Sequence, residues 1–493
     1  MSLGTHTGSL SARLDRLPLS RPHWLLLLIG GLGYTFDGMD SAVVAFLMPD
    51  VKEVFSLSNA QLGLVASAAP FGFLFGAFFA GYLGDRLGRK KVMMYALAVY
   101  AIASLLAAAS WNFEVFLGAR IIAGAGAGAE SAIIAPFLAE FVPSHRRGWF
   151  IGALAGFFSF GFVAAALIGR FVVPVFPEGW RWAQVITFLP ILMLLWWRRN
   201  LPESPRYLLN AGRTEEAEAV VADIEGRVRR ATNAELPPVD PNHAAEPAPQ
   251  KFSLGRALRY LWGPKMWRIT SVTWLIWFSI TFAYYGFFSW IPTLLVDKGL
   301  TVTTSFTYSL FIYLAQIPGY FSAAWVNEKL DRKYTIAIYL GGSAVSALWL
   351  SQMTEPSLIM AAGIALSFFL NGTYAGVYAY TPEVFPTWLR ATGVGLSSAF
   401  GRIGSITAPL IIGVFAVQWG FAGVFGMTTA VLAFGITCTL LFAVRTRNRS
   451  LEDITMKEVL GTTAPEATAP EASAPEASAP TAPAPEAERG SRA

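Results

Sequence analysis

Five ionisable residues stand well inside long apolar blocks of this chain: Asp37, Asp40, Arg120, Glu130 and Arg402, with Arg170 near the end of another block. A charge facing hydrocarbon costs several kcal/mol, so each must face a polar interior or a partner. Asp37 and Asp40 are three residues apart, and positions i and i+3 share a helix face. With Arg120 they can do one of two things. They can form a buried ion pair that locks two helices, or they can take up and release a proton. Burial disfavours an ionised carboxylate and a nearby arginine restores it, so a changing separation would switch protonation. Glu130 can titrate in the same way or serve as a hydrogen-bonded packing acid in a glycine-rich helix. Arg402 has no acid within the blocks of its own half, since Glu383 stands at a block end. A guanidinium facing a cavity offers a two-bond fork to a carboxylate, so an anionic ligand is expected there. Pairing with Asp37 or Asp40 across the cavity is its alternative use.

Polar aromatic residues add a second constraint. Tyr284 and Tyr285, and Tyr374 and Tyr378, fall at the depth of Arg402, with the amides Gln316 and Asn371 near them. Most aromatic side chains here are packing, but a tyrosine hydroxyl needs a partner and does badly against lipid. With Phe160 and Ser398 these residues make the expected substrate site. A carboxylate clamp among flat rings suits a planar aromatic acid.

Elements must bring these groups together. Of the 493 residues, 54% are hydrophobic and 14% charged, against about 25% charged in an ordinary soluble domain. The apolar residues come in blocks of about 20, enough to cross a ~30 Å hydrocarbon layer. A soluble enzyme, a disulfide scaffold and a nucleic-acid binder are excluded together. The single cysteine, Cys438, and four scattered histidines hold no metal-ligand spacing. No cofactor, metal or catalytic residue is expected, and the partners are a small organic anion, a proton and the bilayer.

Twelve spans are expected, at about 23–48, 60–83, 92–110, 114–140, 149–172, 181–199, 268–296, 305–327, 334–353, 357–381, 391–417 and 420–444. Ten lysines and arginines fall in short loops on the side of the termini and three on the other, so both termini are expected in the cytoplasm of an inner-membrane protein. The resulting division is an N-terminal segment 1–22, a six-helix bundle 23–199, a linker 200–267 with a helical patch around Glu215–Arg230, a second bundle 268–444, and an Ala/Pro/Glu-rich tail 445–493 expected to be disordered. No cleavable signal precedes the first block, and a monomer is expected.

The halves repeat at an offset of 243. AGYLGDRLGRK (80–90) meets AAWVNEKLDRK (323–333); Glu140, Pro143, Ser144 and Arg147 meet Glu383, Pro386, Thr387 and Arg390; Gly152 and Gly161 meet Gly395 and Gly404. Asn327 and Asp331 replace Gly84 and Gly88, so the second copy is expected to lose the tight turn of the first. Parallel repeats about an axis along the membrane normal put a substrate site between the halves.

GDRLGRKK (84–91), the span-four run from Arg120 through Gly124, Gly126 and Gly128, and LPESPRYLL (201–209) resemble the major facilitator superfamily, in the branch of sugar porters, organic-ion transporters and synaptic vesicle glycoprotein 2. FDGMD (36–40), AYYGFFSWIP (283–292), AQIPGYFSAAW (315–325), AYTPEVFPT (379–387) and AFGRIG (399–404) resemble the bacterial niacin-porter, or metabolite:proton symporter, group. The likeness covers about residues 20–445. It implies an all-α membrane fold of two pseudo-symmetric six-helix bundles, alternating access, and import of nicotinate with a proton. Asp85, Arg86, Arg89, Lys90, Glu140 and Arg147 are then gating residues, expected to latch the cytoplasmic side in the outward-open state. Asp37-Gly-Met-Asp40 also resembles the benzoate-type symporters, the nearest alternative. Another organic-ion carrier, or a ligand-binding membrane protein without transport, would present a similar pocket.

Overall fold

The structure, a computed structural model, describes residues 10–239, 254–264, 266–386 and 389–446. The expected tail beyond 446 and the proline-rich stretch 240–253 lie outside the described residues. The first bundle runs Arg21–Val54, Asn59–Leu87, Arg89–Ala108, Phe113–Ala139 and Ser144–Phe171. Its sixth span is broken into Gly179–Phe188, a 3-10 turn Leu189–Leu192 and Met193–Asn200. The turn falls at Pro190, which cannot donate a backbone hydrogen bond. The second bundle runs Trp267–Asp297, Val302–Leu314 with Gln316–Lys329, Arg332–Gln352, Pro356–Val384, and Arg390–Phe442. Span eight thus breaks at Ala315. Spans eleven and twelve are two helices that meet at a kink at Gly420, φ 61°, where the sequence suggests a short loop.

Among the described residues nine helices are singly long and apolar enough to cross a membrane. Spans six and eight fall short because they are broken. Span one is diluted by Asp37, Asp40 and its glycines. The fold is the twelve-helix major facilitator fold.

The repeat is visible in contacts as well as in sequence. A Cβ added at Gly161 would overlap the backbone of Thr35 and Met39; one at Gly404 would overlap that of Phe278 and Phe282. Each pair differs by 243 positions. Likewise Gly76 lies on the carbonyl of Ala125, and Gly319 on that of Phe368. Spans one and five therefore approach as seven and eleven do, and two and four as eight and ten. The loops differ as expected: Gly88 holds φ 98°, while Asp331 is extended at φ −69° and its carboxylate caps the Lys333 N–H at 2.9 Å.

The bundles meet on the side away from the termini. There Ser67 donates to the Ile406 carbonyl at 2.7 Å and Arg170 to the Thr307 hydroxyl at 2.7 Å. Below them Phe46, Phe162, Tyr284, Phe288, Phe306 and Tyr313, all buried, pack ring against ring across the interface. The ion pairs near the opposite ends stay within a bundle, Arg89 with Glu140 and Arg332 with Glu383. One bond crosses between the bundles there, from the Tyr320 hydroxyl to the Gly152 carbonyl at 3.4 Å, so the bundles meet more loosely on the side of the termini.

Candidate substrate and proton site

Spans one and four form the acidic half of the site. The Arg120 Nη1 donates to Asp40 Oδ1 at 2.5 Å, and its Nη2 to Oδ2 and to the Asp40 carbonyl, each at 3.0 Å. Both side chains are completely buried. Of their two expected uses, this structure holds the ion pair. Asp37, one turn nearer the termini, accepts from the Ser131 hydroxyl, while its Oδ1 is buried without a hydrogen bond. Glu130 has neither oxygen hydrogen-bonded and lies against Gly33, whose added Cβ would come 2.5 Å from its Oε1. It is not the hydrogen-bonded packing acid that was its alternative. The three acids thus differ: one paired with arginine, one held by a hydroxyl, one without a donor.

Span eleven supplies the cationic half. Arg402 donates from Nη1 to the Tyr285 hydroxyl at 3.1 Å, and its guanidinium lies 3.8 Å from the centroid of Phe73 in span two. No carboxylate among the described residues forms an ion pair with it. Ser398 precedes Arg402 by one turn on the same face. Tyr374 and Tyr378 stack with centroids 6.1 Å apart, and Trp277 meets Tyr378 edge-on at 5.2 Å. Tyr378 is 46% exposed although Trp277 and Tyr374 flank it. It faces the void between the bundles.

Three expectations are corrected. Phe160 is 44% exposed, and it lies two residues, or about 200° of helix, from Phe162, which meets Tyr284 and Phe288 of the other bundle. It points outward and is not part of the substrate site. The Tyr284 hydroxyl is not at Arg402: it donates to Gln316 Oε1 at 3.0 Å, and the ring, set in the buried aromatic seal, meets Tyr285 and Tyr374 edge-on at 5.5 and 5.0 Å. Gln316 keeps a buried Nε2 without a partner, and Asn371 donates to the Ser367 carbonyl of its own helix.

The third correction concerns gating. Arg89 pairs with Glu140, whose other oxygen accepts from the Ser204 hydroxyl. Lys90 donates from its backbone to Glu203 at 3.0 Å and from Nζ to the Arg198 carbonyl at 3.0 Å. Gly88 makes this possible, because any side chain there would strike the Glu203 carboxylate. Arg86 is exposed and lies over Tyr82, and Arg147 has further contacts at the start of span five. The Asp85 side chain lies outside what the structure describes. The bonds from Arg89, Lys90 and Glu140 join the first bundle to itself and to Glu203 and Ser204 at the start of the linker. They brace that bundle and the linker in this structure rather than reaching the second bundle.

Sequence reasoning missed Ser131, Phe73, Tyr34 and Trp277. Ser131 follows Glu130 and was the one hydroxyl in that run that could have been suspected. Phe73 is one of 37 phenylalanines and carries no signal of its own.

Two pseudo-equivalent bundles, with a span-buried arginine that has no acid partner among the described residues in one and three buried acids in the other, define a solute transporter of the major facilitator fold. The sugar (and other) transporter family matches residues 27–457, and the chain belongs to that family. It is 38% identical over 446 residues to the niacin transporter NiaP of Acinetobacter baylyi, covering 90% of this chain and 99% of that protein. It is 35% identical to a putative niacin/nicotinamide transporter NiaP of Bacillus subtilis, covering 87% and 97%. A partially occluded inward-open structure of the xylose transporter XylE from E. coli matches with a TM-score of 0.71 at 17% identity, covering 87% of this chain and all of that one.

Proposed function

We propose that the protein imports a small aromatic monocarboxylate, nicotinate, together with a proton, by alternating access across the inner membrane, as a monomer with both termini in the cytoplasm. The observation that carries this reading is Arg402: a span-buried cation, bonded to a tyrosine and free of any acid partner among the described residues. Nicotinate would replace the missing acid, its carboxylate on the guanidinium and its ring beside Tyr374 and Tyr378. The names of the 38% and 35% identical relatives support the same ligand.

Asp37 and Glu130 are the proposed proton carriers. A buried carboxyl without adequate donors holds its proton, because ionising it there costs far more than in water. Asp40 is already compensated by Arg120 and serves the relay through that pair. No neutral sugar needs a cation at Arg402, so the reading favours an anion over the sugars of other family members.

The experiment is labelled uptake in proteoliposomes under an inward proton gradient, with nicotinate, nicotinamide and benzoate as competitors. Nicotinate should compete best and nicotinamide poorly, since it has the same kind of ring and no charge. Equal competition by acid and amide would overturn the carboxylate clamp, and uptake indifferent to the gradient would overturn the coupling.

A further inference from the structure

A cleft between the linker helix Thr214–Thr232 and the start of span one uses none of the transport residues. Its volume is about 720 Å³, within the ~300–1,000 Å³ usual for small-molecule sites. Its polar rim is cationic, with Arg21 on span one and Arg227 and Arg230 one turn apart on the linker helix. Asp223 is the single acid in the lining and is ion-paired to Arg227 at 2.8 Å. Arg230 uses only its Nε, on the Gly226 carbonyl at 3.2 Å. Arg21 has no ion pair among the described residues. A smaller adjoining cleft shares Asp223 and Arg227 and adds Arg199. Glu225 is taken up elsewhere, by Arg13 and Arg16.

The opposite wall is apolar. Trp24 is 48% exposed and Leu28 44% exposed, one turn apart, so they continue from the cleft along the outer face of span one. Because span one enters the bilayer here, the arginines stand at headgroup level and the two apolar residues at the level of the first acyl carbons. Basic pockets at the ends of membrane helices attract anionic headgroups, and tryptophan favours this interface.

We propose that this cleft seats the phosphate of an anionic phospholipid from the leaflet on the side of the termini, with its acyl chains along Trp24 and Leu28, fastening the linker helix to the bilayer. A soluble phosphate would satisfy the arginines but leave the apolar wall uncovered. The proposal is independent of the transported substrate.

The test is native mass spectrometry of the delipidated full chain titrated with phosphatidylglycerol or with phosphatidylcholine of the same acyl chains. The wild type should retain phosphatidylglycerol preferentially. Arg21→Gln with Arg230→Gln should weaken that retention on the order of tenfold or more; neither arginine has a structural ion pair whose loss would unfold the protein. Arg146→Gln with Arg229→Gln removes the same charge outside the cleft and should retain the lipid. No preference in the wild type, equal loss in both double variants, or no loss in the first would overturn the proposal. So would displacement of the lipid by glycerol phosphate at equal concentration, which would assign the cleft to a soluble anion.

Discussion

Arg402 bonds to Tyr285 of its own bundle and lays its guanidinium over Phe73 of the other. The residue that should bind the ligand is thus also a contact between the moving halves. Arg402→Lys keeps the charge but loses the planar fork and the stacking surface. Uptake of nicotinate should fall to background in this variant, as in Arg402→Ala. Phe73→Leu removes only the ring, a cation–π contact of about 0.5–2 kcal/mol, and should weaken binding severalfold with expression unchanged.

Asp40 and Asp37 should separate in their effects. Asp40→Asn leaves Arg120 buried without its counter-charge, a loss of about 3–5 kcal/mol, visible as a lower melting temperature and poor yield. Asp37→Asn leaves the Ser131 hydroxyl with an acceptor and should fold normally. It should lose accumulation driven by the proton gradient while keeping exchange of labelled for unlabelled substrate. Normal uphill accumulation by Asp37→Asn would remove Asp37 from the relay.

The tyrosines separate by position. Tyr285→Phe and Tyr378→Phe each remove one hydroxyl, worth about 0.5–1.5 kcal/mol, and Tyr378→Ala should cost a further ~1–3 kcal/mol by removing an aromatic anchor. Tyr284→Phe should act on Gln316 and the aromatic seal and leave ligand affinity nearly unchanged. Isothermal titration of the four variants with nicotinate reads this directly.

The N-terminal arm supplies a pH-dependent contact. Burial pushes the Glu225 carboxyl up, but hydrogen bonds from Arg13 and Arg16 and their charges more than reverse this and hold it below its ordinary value. The stability it contributes is therefore complete above the ordinary glutamate pKa of about 4.3 and is lost as pH falls through the depressed value. Protection of residues 10–17 against hydrogen exchange should be high at neutral pH and fall only in stronger acid. Glu225→Gln should lower that protection at neutral pH and make no difference once the wild-type carboxyl is protonated, with transport little affected.

What was legible in the sequence was what burial and repetition enforce. A charge in an apolar block has few places to go, so Asp37, Asp40, Arg120 and Arg402 stood out before any geometry. The offset of 243 was readable because Gly161 and Gly404 bear the same steric load in each half. Direction around a helix was not readable where every face is apolar, as Phe160 demonstrates: aromatic residues on the lipid side and on the void side look alike in one dimension. The loop motif did point to Glu140 and to helix-end carbonyls as partners, and Arg89 and Lys90 reach them; what it did not disclose was the brace from Lys90 N–H to Glu203 in the linker.

The glycine contacts and the loop ion pair, Arg89 with Glu140 and Arg332 with Glu383, are duplicated between the halves, whereas the ionisable groups inside the spans are not: Ser159 stands opposite Arg402, and Ile280 and Ala283 stand opposite Asp37 and Asp40. Scaffold contacts and span-buried charges are thus carried by different residues of the same helices. A descendant lineage could exchange the group at position 402 and acquire a new cargo without repacking anything at Gly404, two residues away. Across diverged relatives this predicts neighbouring positions with opposite histories, one drifting with diet and habitat and the other frozen since the ancestral duplication.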